Sequence, residues 1–165
     1  MNLVKNKVFF VMGVSGCGKS TIGKLIAKEL AIPFFDGDDF HTEENIKKMS
    51  SGFALNDEDR KDWLTSLNEL AKEELSQKGC VIACSALKEN YRVILKKSIE
   101  SDVEFVYLKG TFNQILDRVS TRFNHFMPSE LLKSQFDILE EPHYGIEVSI
   151  LKSPTEIIKE LKPSL

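Results

Sequence analysis

The run Gly13-Val14-Ser15-Gly16-Cys17-Gly18-Lys19-Ser20 follows the spacing G-x-x-x-x-G-K-[ST]. Residues of these types in this order can bind a nucleoside triphosphate. Glycines let the backbone curl until its N–H groups converge on phosphate oxygens. Lys19 can reach the β- and γ-phosphates, and the Ser20 hydroxyl can ligate Mg²⁺. Thr21 completes the nucleotide-binding set. A second chemical cluster follows the apolar residues Phe34 and Phe35, where the chain reads Asp36-Gly37-Asp38-Asp39. A carboxylate at the tip of a strand beside a phosphate loop can hold Mg²⁺, and Asp36 is the candidate. Asp38, two residues on, can face an acceptor hydroxyl as general base.

These groups need elements to hold them. The phosphate-loop pattern has its meaning only between a strand and a helix. The apolar run Lys7–Met12 precedes it, and Lys19–Ala31 follows with Ile22, Leu25, Ile26 and Leu30 on one face. Further strands are expected at Pro33–Asp36, Cys80–Ser85, Val103–Lys109 and Glu147–Leu151. The first, third and fourth of the five are rich in Val, Ile, Phe and Cys with little alternation, the pattern of strands buried on both faces. Helices are expected at Asp57–Lys78, Lys88–Ile99, Phe112–Arg122, Ser129–Glu140 and Thr155–Leu161. Asn56 is a plausible N-cap for the first of these, and Gly79 its stop. Alternating strands and helices predict a three-layer α/β domain with a parallel sheet of about five strands and right-handed crossovers. Two stretches exceed a minimal β-α-β unit: residues 37–56 and 121–129. Insertions at the carboxyl ends of strands are where such domains keep ligand contacts.

Composition narrows the possibilities. With 165 residues, 42% hydrophobic and 28% charged, the chain reads as one globular domain rather than a disordered or disulfide-framework protein. A net charge of −3 gives no global attraction to nucleic acid or anionic lipid. No segment approaches 18 apolar residues, so no membrane span is expected. Three cysteines, Cys17, Cys80 and Cys84, lack metal-site spacing and read as free thiols, which points to the cytosol. A GTPase would carry N-K-x-D, yet the only Asn-Lys pair, Asn6-Lys7, leads into Val8 and Phe9.

At this point a family resemblance becomes specific. The segment from Asp36 through Leu64 (DGDDFHTEENIKKMSSGFALNDEDRKDWL) resembles the acceptor-binding region of gluconokinases. Cys84-Ser85-Ala86-Leu87-Lys88, with Tyr91-Arg92, is similar to that family's C-S-A-L-K-x-x-Y-R block. His125-Phe126-Met127, then Ser134-Gln135-Phe136 and Leu139-Glu140-Glu141-Pro142, resemble its lid and following helix. The sequence departs at Asn124, where the family has Gly, at Phe123 before it, and at Ala54, where Pro is common. Shikimate kinases share the phosphate loop and the D-x-D, but not the NDEDRxxWL or CSALK blocks.

The resemblance implies a P-loop kinase that uses ATP and Mg²⁺ to phosphorylate the 6-hydroxyl of D-gluconate. It also implies an acceptor-binding insertion at about 37–78, a lid at about 121–130 and a homodimer. Gluconate needs a cation for its carboxylate, and Arg60 suits that role, because a cation in the first turn of a helix opposes the dipole. Lys88 and Arg92, read as an i, i+4 pair opening a helix, would face the acceptor and the transferred phosphoryl group. His41 would hydrogen-bond an acceptor hydroxyl or cap its own helix. Arg118 and Arg122, again i, i+4, would serve the adenine face and the phosphates, with Arg122 joining Lys19 and Asp38 in the chemistry. The sequence leaves as alternatives a shikimate kinase or another small-molecule P-loop kinase, and a nucleotide-binding module without phosphoryl transfer.

Overall fold

The computed structural model describes residues 5–121 and 129–165. Five strands form one sheet: β1 (Val8–Met12), β2 (Phe34–Asp36), β3 (Cys80–Ala83), β4 (Val103–Lys109) and β5 (Ile146–Ser149). They lie in the order β2-β3-β1-β4-β5 and every pairing is parallel. Among the described residues seven α-helices accompany them: α1 (Lys19–Leu30), α2 (Glu43–Ser50), α3 (Asp57–Leu75), α4 (Glu89–Leu95), α5 (Phe112–Ser120), α6 (Ser129–Ile138) and α7 (Pro154–Leu161). The expected three-layer α/β architecture is therefore the observed one.

The layers follow from the two-residue period of β1, all five of whose residues are buried. Phe9 and Val11 pack with Ile22 and Ile26 of α1, Ile115 of α5, Leu132 of α6 and Ile157 of α7. Val8, Phe10 and Met12 pack on the opposite face with Trp63, Leu64 and Leu67 of α3 and Leu95 of α4. Central parallel strands have no solvent face, which is why they read as continuous apolar runs. Cys80 and Cys84 belong to this second core, and burial pushes each thiol up to about 12.

Two helices differ from the sequence expectation. The polar segment 43–50 forms α2, capped by the Thr42 side chain, which accepts from Asn45 N. The helix expected from Lys88 instead begins at Glu89 and ends at Leu95. Lys88 is its N-cap residue in extended conformation. The chain then turns at Ser98, whose φ is +69°. Among the described residues no helix is long and apolar enough to cross a membrane.

Candidate active site

The carboxyl ends of β1, β2 and β3 meet under the phosphate loop. Gly13 N–H donates to Ser85 O (3.3 Å), tying the loop after β1 to the loop after β3. Gly16 (φ +83°) and Gly18 (φ +101°) take left-handed backbone that side chains rarely adopt, and Gly18 is the N-cap of α1. Lys19 Nζ donates to the carbonyls of Gly13 and Val14, both at 3.1 Å, so the lysine holds the loop's own curl. Val14 and Cys17 are buried beneath it. Ser20 Oγ donates to Asp36 Oδ2 at 2.9 Å. A hydroxyl and a carboxylate brought together at a phosphate loop are the hard oxygen donors that Mg²⁺ prefers, so the residues fit that ion. Asp36 Oδ1 also accepts from Asp38 N–H at 3.0 Å, which fixes the turn carrying the second carboxylate.

Gly37 allows that turn to lie against β3, since a Cβ there would come within 2.5 Å of Ala83 O. Trp63 of α3 pins it by donating from Nε1 to Gly37 O at 2.7 Å. His41 stacks on the Trp63 ring, centroids 4.2 Å apart. Its Nε2 lies 3.9 Å from Asp38 Oδ1, and its buried Nδ1 has no partner among the described residues. Burial holds the imidazole below its usual pKa; Asp38 opposes this and Arg60 adds to it. The Asp38 side chain is 86% exposed and free to meet a ligand.

Two cavities open here. One, of about 310 Å³, is lined by Gly16, Gly18, Ser20, Thr21 and Asp36. The other, of about 1350 Å³, is walled by His41, Met49, Arg60, Lys88 and residues of α6. Ser15, Lys19 and Asp38 line both, so the phosphate side and the wider cleft meet at those three residues.

The remaining expected residues divide. Arg60 lines the wide cleft and donates from Nη1 to Tyr91 Oη at 3.0 Å. Lys88 lines it too, but its ammonium is paired with both oxygens of Asp57 at 3.0 and 3.1 Å. Asp57 also accepts from Tyr91 Oη. Those two bonds, Tyr91's first, hold its carboxyl below the usual range. Arg118 stands beside the phosphate loop, with Nη1 donating to Cys17 O at 3.0 Å. Arg122, the lid residues Phe123 and Asn124, and His125 lie outside the described residues.

Arg92 corrects the sequence reading. It is 1% exposed and lines neither cavity. Its guanidinium donates to Ala86 O (2.7 Å), Glu140 O (2.8 Å), Glu89 and Tyr144 Oη. The i, i+4 argument fails because Lys88 is not helical, so the two side chains share no helix face.

Three groups gained no role from sequence reasoning. Asp57 and Tyr91 bracket Arg60 and Lys88 as just described. Gln135 of α6 accepts from Ser15 N–H at 2.7 Å, placing a side-chain oxygen on the phosphate loop. All three lie inside the blocks that carried the resemblance, which was their available signal.

A family model described as shikimate kinase matches residues 15–141. A probable gluconokinase of Rattus norvegicus is 46% identical over 171 residues, covering 91% of this chain and 92% of its own. The crystal structure of a gluconokinase from Sinorhizobium meliloti 1021 superposes with a TM-score of 0.87 at 40% identity, covering 94% of this chain and 89% of that one. A shikimate kinase from Aquifex aeolicus vf5 reaches a TM-score of 0.60 at 22% identity over 94% of each chain, which is likeness of fold alone. A P-loop kinase fold is thus shared even at low identity, and the matches at 40–46% identity are a gluconokinase and a probable gluconokinase. On the strength of relatives matched across most of its length, the chain belongs to the gluconokinase family.

Proposed function

We infer that the protein transfers the γ-phosphoryl group of ATP to the 6-hydroxyl of D-gluconate, giving 6-phospho-D-gluconate. The observation that carries this is the meeting of the two cavities at Ser15, Lys19 and Asp38. An acceptor hydroxyl in the wide cleft would there meet both a phosphate-loop lysine and an exposed carboxylate. Asp38 would accept or orient the hydroxyl proton, and Lys19 would stabilise charge on the moving phosphoryl group. Arg60 supplies a planar cation for the acceptor's carboxylate, and His41 stands by for a hydroxyl. Arg118 would serve the nucleotide from its place beside the loop, with Arg122 carried over from the resemblance.

Ser20 and Asp36 would hold Mg²⁺, which neutralises phosphate charge when bound. Most of the rate would come from positioning and electrostatics. A cytosolic setting is supported by three buried free cysteines. A homodimer is proposed from the family resemblance and is tested by light scattering on the purified chain.

The decisive experiment is an ADP-release assay with gluconate, shikimate and nucleoside monophosphates as separate acceptors. Gluconate should be strongly preferred. Turnover of shikimate or a nucleotide in its place would move the protein to another P-loop kinase class. No acceptor-dependent release would leave a nucleotide-binding module.

A further inference from the structure

Among the described residues Arg60 is the one arginine on the wide cleft's wall, and its orientation is set by atoms outside its own helix. Tyr91 comes from α4, 31 residues away, and is 3% exposed. A phenol has one proton to give. Asp57, a carboxylate, can only accept, so the Tyr91 proton points at Asp57 and an oxygen lone pair is left for Arg60 Nη1. The guanidinium also lies near the Tyr91 ring, with Cζ 5.4 Å from its centroid. Asp57 meanwhile takes up Lys88 through both oxygens. Among the described residues Arg60 forms no ion pair within 4 Å. One of its five N–H groups is thus spent on a neutral oxygen, and its charge is left without a carboxylate partner among the described residues.

We propose that Tyr91 is a positioning residue for acceptor selectivity: anchored by Asp57, its hydroxyl aims Arg60 at the acceptor's carboxylate. This rests on the gluconate reading above and assigns a role to a residue that itself lines neither cavity. A guanidinium aimed in advance loses less side-chain freedom when a carboxylate docks on it. The benefit belongs to acceptors that carry the carboxylate and not to the neutral polyol.

The test is a double-mutant cycle on the full chain with Tyr91→Phe and Arg60→Ala. The phenylalanine keeps the buried ring and removes only the hydroxyl, and thermal unfolding verifies that the variants are folded. KM and kcat are measured for gluconate, for its neutral analogue sorbitol and for ATP. Tyr91→Phe should raise KM for gluconate about three- to tenfold, the scale of one net hydrogen bond. KM for sorbitol, KM for ATP and kcat should hold. In the Arg60→Ala background the same substitution should change none of them. A Tyr91→Phe enzyme with unchanged gluconate KM overturns the proposal. So does an equal effect with and without Arg60, which would make Tyr91 a packing residue only. If wild type itself fails to phosphorylate gluconate, the functional reading falls first, a result the cycle distinguishes because its reference activity is then missing.

Discussion

The phosphate loop and the acceptor wall sit on the same cleft but are built from different materials. The loop is mainly backbone: two left-handed glycines, the start of α1 and carbonyls gathered by Lys19 lie within residues 13–20. The wall is mainly side chains, and its bonds are long in sequence. Arg60 meets Tyr91 and Lys88 meets Asp57 across 31 residues, and Ser15 meets Gln135 across 120. A backbone-built site can be written in eight consecutive letters and shared by kinases of many acceptors. A side-chain site must be assembled by the fold.

The largest effect should come where the halves join. Asp38→Asn should lower kcat by about 10²–10⁴ while ATP binding is preserved. Asp36→Asn should instead shift the Mg²⁺ dependence, because Asp36 is bonded to Ser20 within the phosphate half. If raising Mg²⁺ rescues the Asp38 variant and not the Asp36 variant, the roles are exchanged and the boundary between the halves moves.

Next is Lys19→Ala, with a loss of at least about 10² in turnover, the scale for removing one preorganised charged donor. The loss should be the same for every acceptor, since Lys19 belongs to the donor half. Near wild-type turnover would remove the kinase assignment. Arg60→Ala tests the other half and should be selective. Wild type is expected to prefer gluconate over sorbitol about 10- to 150-fold, the range for a charge-assisted hydrogen bond. Arg60→Ala should erase most of that preference without altering ATP affinity. Arg60→Lys should recover part, because an ammonium keeps the charge but not the planar fork. A weakened ATP affinity with the preference intact would place Arg60 on the donor side.

The same contrast explains what the sequence made legible. The sheet was readable because strands buried on both faces must be apolar throughout, as Val8–Met12 and Cys80–Ala83 are. α2 escapes a periodicity reading because its apolar residues Ile46 and Met49 are exposed rather than packed in a core. Its remaining signal was a capping threonine followed by two glutamates, Glu43 and Glu44. Local context alone put Asp36 and Ser20 side by side, and in the fold they are hydrogen-bonded. Tyr91 and Asp57 could not be paired in this way, because nothing in either residue's neighbours says that they meet.

Arg92 is the sharpest case, since residue type and spacing both suggested the acceptor site and the fold uses it elsewhere. Its guanidinium fastens the segment after α6 to the loop after β3. It bonds Glu140 O on one side and Ala86 O on the other, and Ala86 itself sits at φ +46°. The Glu89 partner is 44% exposed, so that ion pair adds little by itself. The Ala86 carbonyl matters more, because Arg92→Met fills similar space and leaves that buried acceptor without a donor. An acceptor stranded in the interior costs about 1–3 kcal/mol. For a chain of this size each kcal/mol corresponds to about 2–4 °C in Tm. Arg92→Met should therefore lower Tm by roughly 2–12 °C, while the folded enzyme keeps its gluconate KM and its preference over sorbitol. Thermal unfolding and steady-state kinetics on one preparation decide it. A raised gluconate KM with an unchanged Tm would return Arg92 to the acceptor wall.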